Sequence, residues 1–87
     1  MRQEGVGLRI WRIRPLSSLI VEVLKKNGRM TDDKLLDYVR AFYPDVSMAE
    51  LSRALMTLEM NGFVYVASYM RGRKIVELRW DRLGREP

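Results

Sequence analysis

The sequence predicts a mainly helical α+β domain, three helices closed by a C-terminal β-hairpin. Three observations carry that expectation. Leucines and valines recur at three- and four-residue spacing in three successive stretches. Turn signals at Asn27-Gly28, Pro44 and Asn61-Gly62 separate those stretches. After the last of them the pattern changes to β-branched and aromatic residues on both sides of Arg71-Gly72-Arg73. A chain of 87 residues has room for one compact domain. Residues 1–14 read as an N-terminal strand or arm, 15–80 as the domain, and 81–87 as a flexible polar tail.

Gly7 to Arg14 interleaves Leu8, Ile10, Trp11 and Ile13 with Arg9, Arg12 and Arg14, an extended pattern that Pro15 stops. It suits a strand closing the small sheet, or a basic arm. Leu16, Leu19, Ile20, Val23 and Leu24 then define a first helix over roughly 17–26, with Ser17 or Ser18 as its cap and Asn27-Gly28 as its stop. Thr31 is the expected cap of a second helix, with Asp32 and Asp33 at the positive end of its dipole. Its apolar stripe is Leu35, Leu36, Val39, Phe42 and Tyr43, and Pro44 ends it. Ser47-Met48-Ala49-Glu50 has the form of a capping box, so a third helix starts there. Leu51, Ala54, Leu55 and Leu58 form its core face. Phe63 to Met70 and Lys74 to Trp80 are the two arms of the hairpin.

Composition excludes several function classes. Hydrophobic residues make up 47% and charged residues 31%, the balance of a chain that folds rather than one that stays disordered. There is no cysteine and no histidine, so disulfides, thiolate or imidazole metal sites and histidine acid–base catalysis all drop out. Asp32, Asp33 and Asp37 are explained by a helix start rather than by catalysis, and no nucleophile–base pair or phosphate loop is present. We therefore expect no enzyme, no cofactor and no metal. The longest apolar run is Phe63 to Ala67, far short of the ~20 residues of a membrane span. Met1-Arg2-Gln3-Glu4 lacks a signal-peptide pattern, which makes a cytoplasmic location the expectation. One Gln, two Asn and abundant Arg resemble thermophile composition.

Net charge is +5, and its placement is uneven. Arg2, Arg9, Arg12 and Arg14 oppose only Glu4 in the first fourteen residues, and six basic residues oppose Glu77, Asp81 and Glu86 from Arg71 onward. Each end is thus cationic, while the helical middle is nearly neutral. This distribution favours a polyanionic partner.

The order of elements resembles the winged helix-turn-helix superfamily. Glu50 to Val64 looks like the junction of recognition helix and wing in small bacterial and archaeal winged-helix proteins, and Gly28 to Leu35 is similar to the connection before that family's second helix. The resemblance covers about residues 16–80 and implies a DNA-binding fold. It implies a third helix in the major groove, with Ser52, Arg53 and Thr57 toward base edges, and wing cations Arg71, Arg73 and Lys74 on phosphates. Two features depart from that pattern. Asp45-Val46 lengthens the connection between the second and third helices, and the outward face of the third offers Met48, Met56, Met60 and Glu59 where more polar readers are usual.

Each candidate also has a plainer role. The turn cations can serve solubility, and Arg53 can pair with Glu50 three residues before it. Tyr65 and Tyr69 alternate on one strand face, where they stack bases or pack across the hairpin. Two functions follow as expectations. One is a double-stranded DNA-binding protein in transcription regulation or DNA maintenance, as a homodimer. The other is a protein-docking accessory subunit of a transcription or replication assembly, with Trp11, Met48, Met56, Met60 and Trp80 as its interface.

Overall fold

A run of apolar residues at helical spacing stays helical only where it finds a partner surface, and here three such runs share one. The computed structural model describes residues 15–79. Helix α1 (Leu16–Asn27), strand β1 (Met30–Thr31), helices α2 (Asp32–Arg40) and α3 (Met48–Met60), and strands β2 (Val64–Ser68) and β3 (Lys74–Leu78) follow in order. The α+β class and the C-terminal hairpin are as the sequence predicts.

Helix α1 is the central helix. It buries Leu16, Leu19, Ile20, Val21, Val23 and Leu24 and packs against α2, α3 and β3. Pro15 begins it: proline's fixed φ suits the entry, and the Pro15 carbonyl accepts hydrogen bonds from the Ser18 and Leu19 amides at 3.1 and 3.3 Å. Ser17 and Ser18 therefore lie inside the first turn, and neither is the predicted cap. At the other end the Gly28 amide donates to the Leu24 carbonyl at 2.9 Å with φ 79°. A side chain there would have open space but a strained backbone, which is why glycine stands at this stop.

Helix α2 departs from expectation at both ends. Thr31 occupies the cap position without a side-chain capping bond. Instead Asp32 Oδ1 accepts the Asp33 amide at 2.9 Å. The helix ends at Arg40, well before Pro44, because the Ala41 and Phe42 amides turn back to the Tyr38 and Val39 carbonyls in tighter, three-residue steps. Phe42 consequently leaves the predicted apolar stripe and is 60% exposed, while Tyr43 packs against the core. The lengthened connection is firmly held. Val46 is fully buried, its amide donates to the Tyr43 carbonyl, and its own carbonyl accepts Arg40 Nε at 2.8 Å.

Helix α3 begins as predicted, with Ser47 Oγ accepting the Glu50 amide at 3.1 Å. Leu51, Leu55 and Leu58 are buried and Ala54 is half-buried. Past Asn61, Gly62 has φ 81° and the Phe63 amide reaches back to the Leu58 carbonyl at 2.9 Å, turning the chain into β2.

The sheet order is β1-β3-β2, all antiparallel. Val64 faces Leu78 and Val66 faces Val76 across the hairpin, and Met30 of β1 lies opposite Val76. These residues form the face packed on the helices. Thr31, Ile75, Glu77, Ala67 and Tyr65 take the other face. The third strand is thus Met30–Thr31, for which the sequence carries no strand pattern. The candidate strand Gly7 to Arg14 lies outside the described residues.

Candidate nucleic-acid interface

The hairpin turn is built by two consecutive left-handed residues. At its tip, within Met70–Gly72, Arg71 has φ 62°, ψ 37° and Gly72 has φ 77°. The Arg73 carbonyl accepts the Tyr69 amide at 2.7 Å, and the Arg73 amide donates to the Met70 carbonyl at 3.2 Å. Arg71 is the sole non-glycine residue with positive φ among the described residues. A left-handed side chain costs about 1–2 kcal/mol, so a cation is held here where glycine would be easier. Arg71, Arg73 and Lys74 are all exposed.

Folding ties this turn to the start of α2, about 40 residues away in sequence. Asp32 Oδ1 accepts the Lys74 amide at 3.4 Å, and Asp33 Oδ2 lies 3.6 Å from Arg73 Nε. Hydrogen bonding to the Thr31 side chain, and then the Arg73 guanidinium, hold the Asp33 carboxyl below its ordinary value against the opposing effect of desolvation. Both partners of the Asp33–Arg73 pair are half-exposed, and such pairs are worth about 0–1 kcal/mol. Arg73 is thus paired with Asp33 while staying exposed to solvent. Asp32 and Asp33, which in sequence signal only a helix start, thus also position the turn.

Helix α3 presents Ser52, Arg53, Met56, Thr57, Glu59 and Met60 to solvent. Thr57 Oγ1 donates to the Arg53 carbonyl at 3.2 Å, so its one donor is turned onto its own helix and only acceptor capacity faces outward. Met56 and Met60 are 59% and 79% exposed. Met48 is different: it is half-buried and packs against the core, so it leaves the expected outward methionine face. Met48 is the first residue of α3, where it joins the core rather than the exposed helix face. Trp11 and Trp80 lie outside the described residues.

A second feature has no signal in the sequence. Between the end of α1, β1, α2 and the outer sheet face lies a groove of about 690 Å³. Arg29, Lys34, Tyr38 and Tyr69 line it together with Ala67 and Ile75 of the outer sheet face. Lys34 and Tyr38 sit at i and i+4 on the exposed side of α2, beside the buried Leu35 and Val39, a spacing that marks them as neighbours. Nothing local shows that Tyr69 joins them. The predicted Tyr65–Tyr69 face is divided: Arg79 stacks over the Tyr65 ring at 5.0 Å, and Tyr65 is not part of the groove.

No group of three or more acidic residues able to hold a metal occurs among the described residues, and no described helix is long and apolar enough to cross a membrane. Comparison of the chain with protein-family models and with curated proteins finds no match.

Proposed function

We propose that this protein binds double-stranded DNA as a winged helix, with α3 in the major groove and the hairpin turn as the wing. Ser52 and Arg53 face base edges, Thr57 contributes as an acceptor, and Arg71, Arg73 and Lys74 contact phosphates. The role is cytoplasmic, in transcription regulation or DNA maintenance, and the active species is a homodimer. The observation that carries this reading is the turn itself: three exposed cations, one fixed in a left-handed conformation and another oriented by Asp33. The order of three helices and a C-terminal hairpin supports it as well.

The test is duplex binding measured against salt for the wild type and for the combined Arg71→Ala, Arg73→Ala, Lys74→Ala variant. The variant is expected to bind on the order of 100-fold more weakly at physiological salt, with the log–log salt slope reduced by roughly 0.9 for each phosphate no longer neutralised. An unchanged isotherm rejects the assignment.

Exposed Met56 and Met60 favour a second reading, a docking module for a larger transcription or replication enzyme, in which Trp11 and Trp80 would add edge anchors. Met56→Glu separates the two, abolishing partner capture in this reading and weakening duplex binding only through local charge in the first.

A further inference from the structure

The groove beside the hairpin shares no residue with the surface assigned to duplex DNA. We propose that it binds a short stretch of single-stranded nucleic acid, with bases stacked on Tyr38 and Tyr69 and phosphates held by Arg29 and Lys34.

The chemistry of the lining selects this ligand. Tyr38 and Tyr69 are 37% and 48% exposed, so these two large rings are left open to solvent beside the same cavity instead of joining the core. A flat π-face that is exposed in a cleft can stack any base, which gives affinity without sequence preference. Arg29, from the link between α1 and β1, and Lys34, from α2, add two positive charges to the lining. Unpaired bases alternating with phosphates are the polymer that meets rings and cations together. Duplex DNA keeps its base faces stacked inside and offers none to the tyrosines. Ala67 adds a small apolar side chain and Ile75 a larger one to the lining, and the volume lies within the ~300–1,000 Å³ of ordinary ligand sites.

Glu77 is the one carboxylate in the lining. Lying on the outer sheet face opposite Tyr65 in the strand register, it repels phosphate and directs the backbone of the strand toward Arg29 and Lys34. The groove also continues into the hairpin turn, because Ser68 and Tyr69 lead into it and Ile75 follows it. A strand lying in the groove therefore runs toward Arg73 and Lys74. The surface as a whole suits nucleic acid in which a single-stranded tract adjoins a duplex.

The experiment is fluorescence anisotropy of the full chain with labelled oligo(dT) and, separately, with a labelled duplex, each across a salt series. Tyr38→Ala and Tyr69→Ala are each expected to weaken oligo(dT) binding about 5- to 150-fold and to leave duplex binding unchanged. Tyr38→Phe and Tyr69→Phe keep the ring and are expected to bind oligo(dT) like the wild type. Replacing Arg29 and Lys34 with Ala should reduce the salt slope for oligo(dT) by roughly 0.7 for each phosphate left without its cation, and Glu77→Gln should tighten binding. A wild-type chain that fails to bind oligo(dT) overturns the proposal, whether or not it binds duplex. So do Ala variants that melt like the wild type and bind oligo(dT) equally well, and so do Phe variants as weak as the Ala variants, which would mean that stacking is not what holds the strand. Failure of the duplex reading would show instead in the triple variant of the hairpin turn, whose residues are separate from these.

Discussion

The hairpin turn and the outer face of α3 are both exposed, yet they are built on opposite principles. The turn holds its cations by constraint: a left-handed Arg71, a glycine after it, and two aspartates of α2 gripping the Lys74 amide and the Arg73 side chain. The face of α3 is regular helix, with Arg53 as its cation, a threonine turned back on its own backbone, and two methionines in open solvent. The turn is therefore suited to a fixed pattern of charge, as a phosphate backbone presents. The helix face is suited to adaptable contact, since thioether side chains conform to varied surfaces. In the proposed function, position and affinity would come from the first region and discrimination among partners from the second.

The sharpest way to break this comparison is at Arg53. If α3 reads bases, Arg53→Ala is expected to cost about 1–3 kcal/mol on a preferred duplex and much less on a scrambled one, read by competition binding. An equal loss on every sequence would make Arg53 another phosphate contact and erase the distinction between the two regions.

Arg71→Gly gives a smaller effect with two opposing signs. Relief of the left-handed strain is expected to raise stability by about 1 kcal/mol, a rise of roughly 4–8 °C in Tm for a domain of this size. Duplex affinity should fall at the same time, by about fivefold at physiological salt for one phosphate contact. A Tm that does not rise would mean that the turn geometry is imposed at no backbone expense, and that constraint is not what marks this region.

The smallest expected effect is the pH dependence of the tether. Asp33 has a lowered carboxyl value in the folded chain, so its stabilising contribution is present above the ordinary 3.8 and is lost as pH falls through the lowered value. The Tm difference between wild type and Asp33→Asn is expected to be small near neutrality and to vanish in stronger acid. A difference that grows on acidification would contradict the tether.

Much of this molecule is legible without coordinates. Ser47-Met48-Ala49-Glu50 announces α3 because a capping box is local chemistry, complete within four residues. Asn27-Gly28 and Asn61-Gly62 mark helix ends because glycine, lacking a Cβ, takes the positive φ of a helix stop without strain. Of the candidate site residues, Ser52, Arg53, Met56, Thr57, Met60 and the three turn cations are exposed as expected. Met48 escapes a sequence reading because it packs against a core assembled from distant segments, which its own helical spacing does not show. Phe42 escapes it because α2 tightens and stops ahead of its proline.

By itself, then, the sequence determined the three helices, most of their start and stop signals, the hairpin, and the concentration of charge around its turn. Each follows from interactions within a few residues or from a repeating pattern. The tertiary structure alone decided that Met30–Thr31 is a strand, that Asp32 and Asp33 hold the turn, and that Arg29, Lys34, Tyr38 and Tyr69 border one groove. Those contacts join segments about 30 to 45 residues apart in the chain. A two-residue strand has no period of its own to detect, and a carboxylate at a helix start reads as a cap whether or not a distant amide comes to meet it.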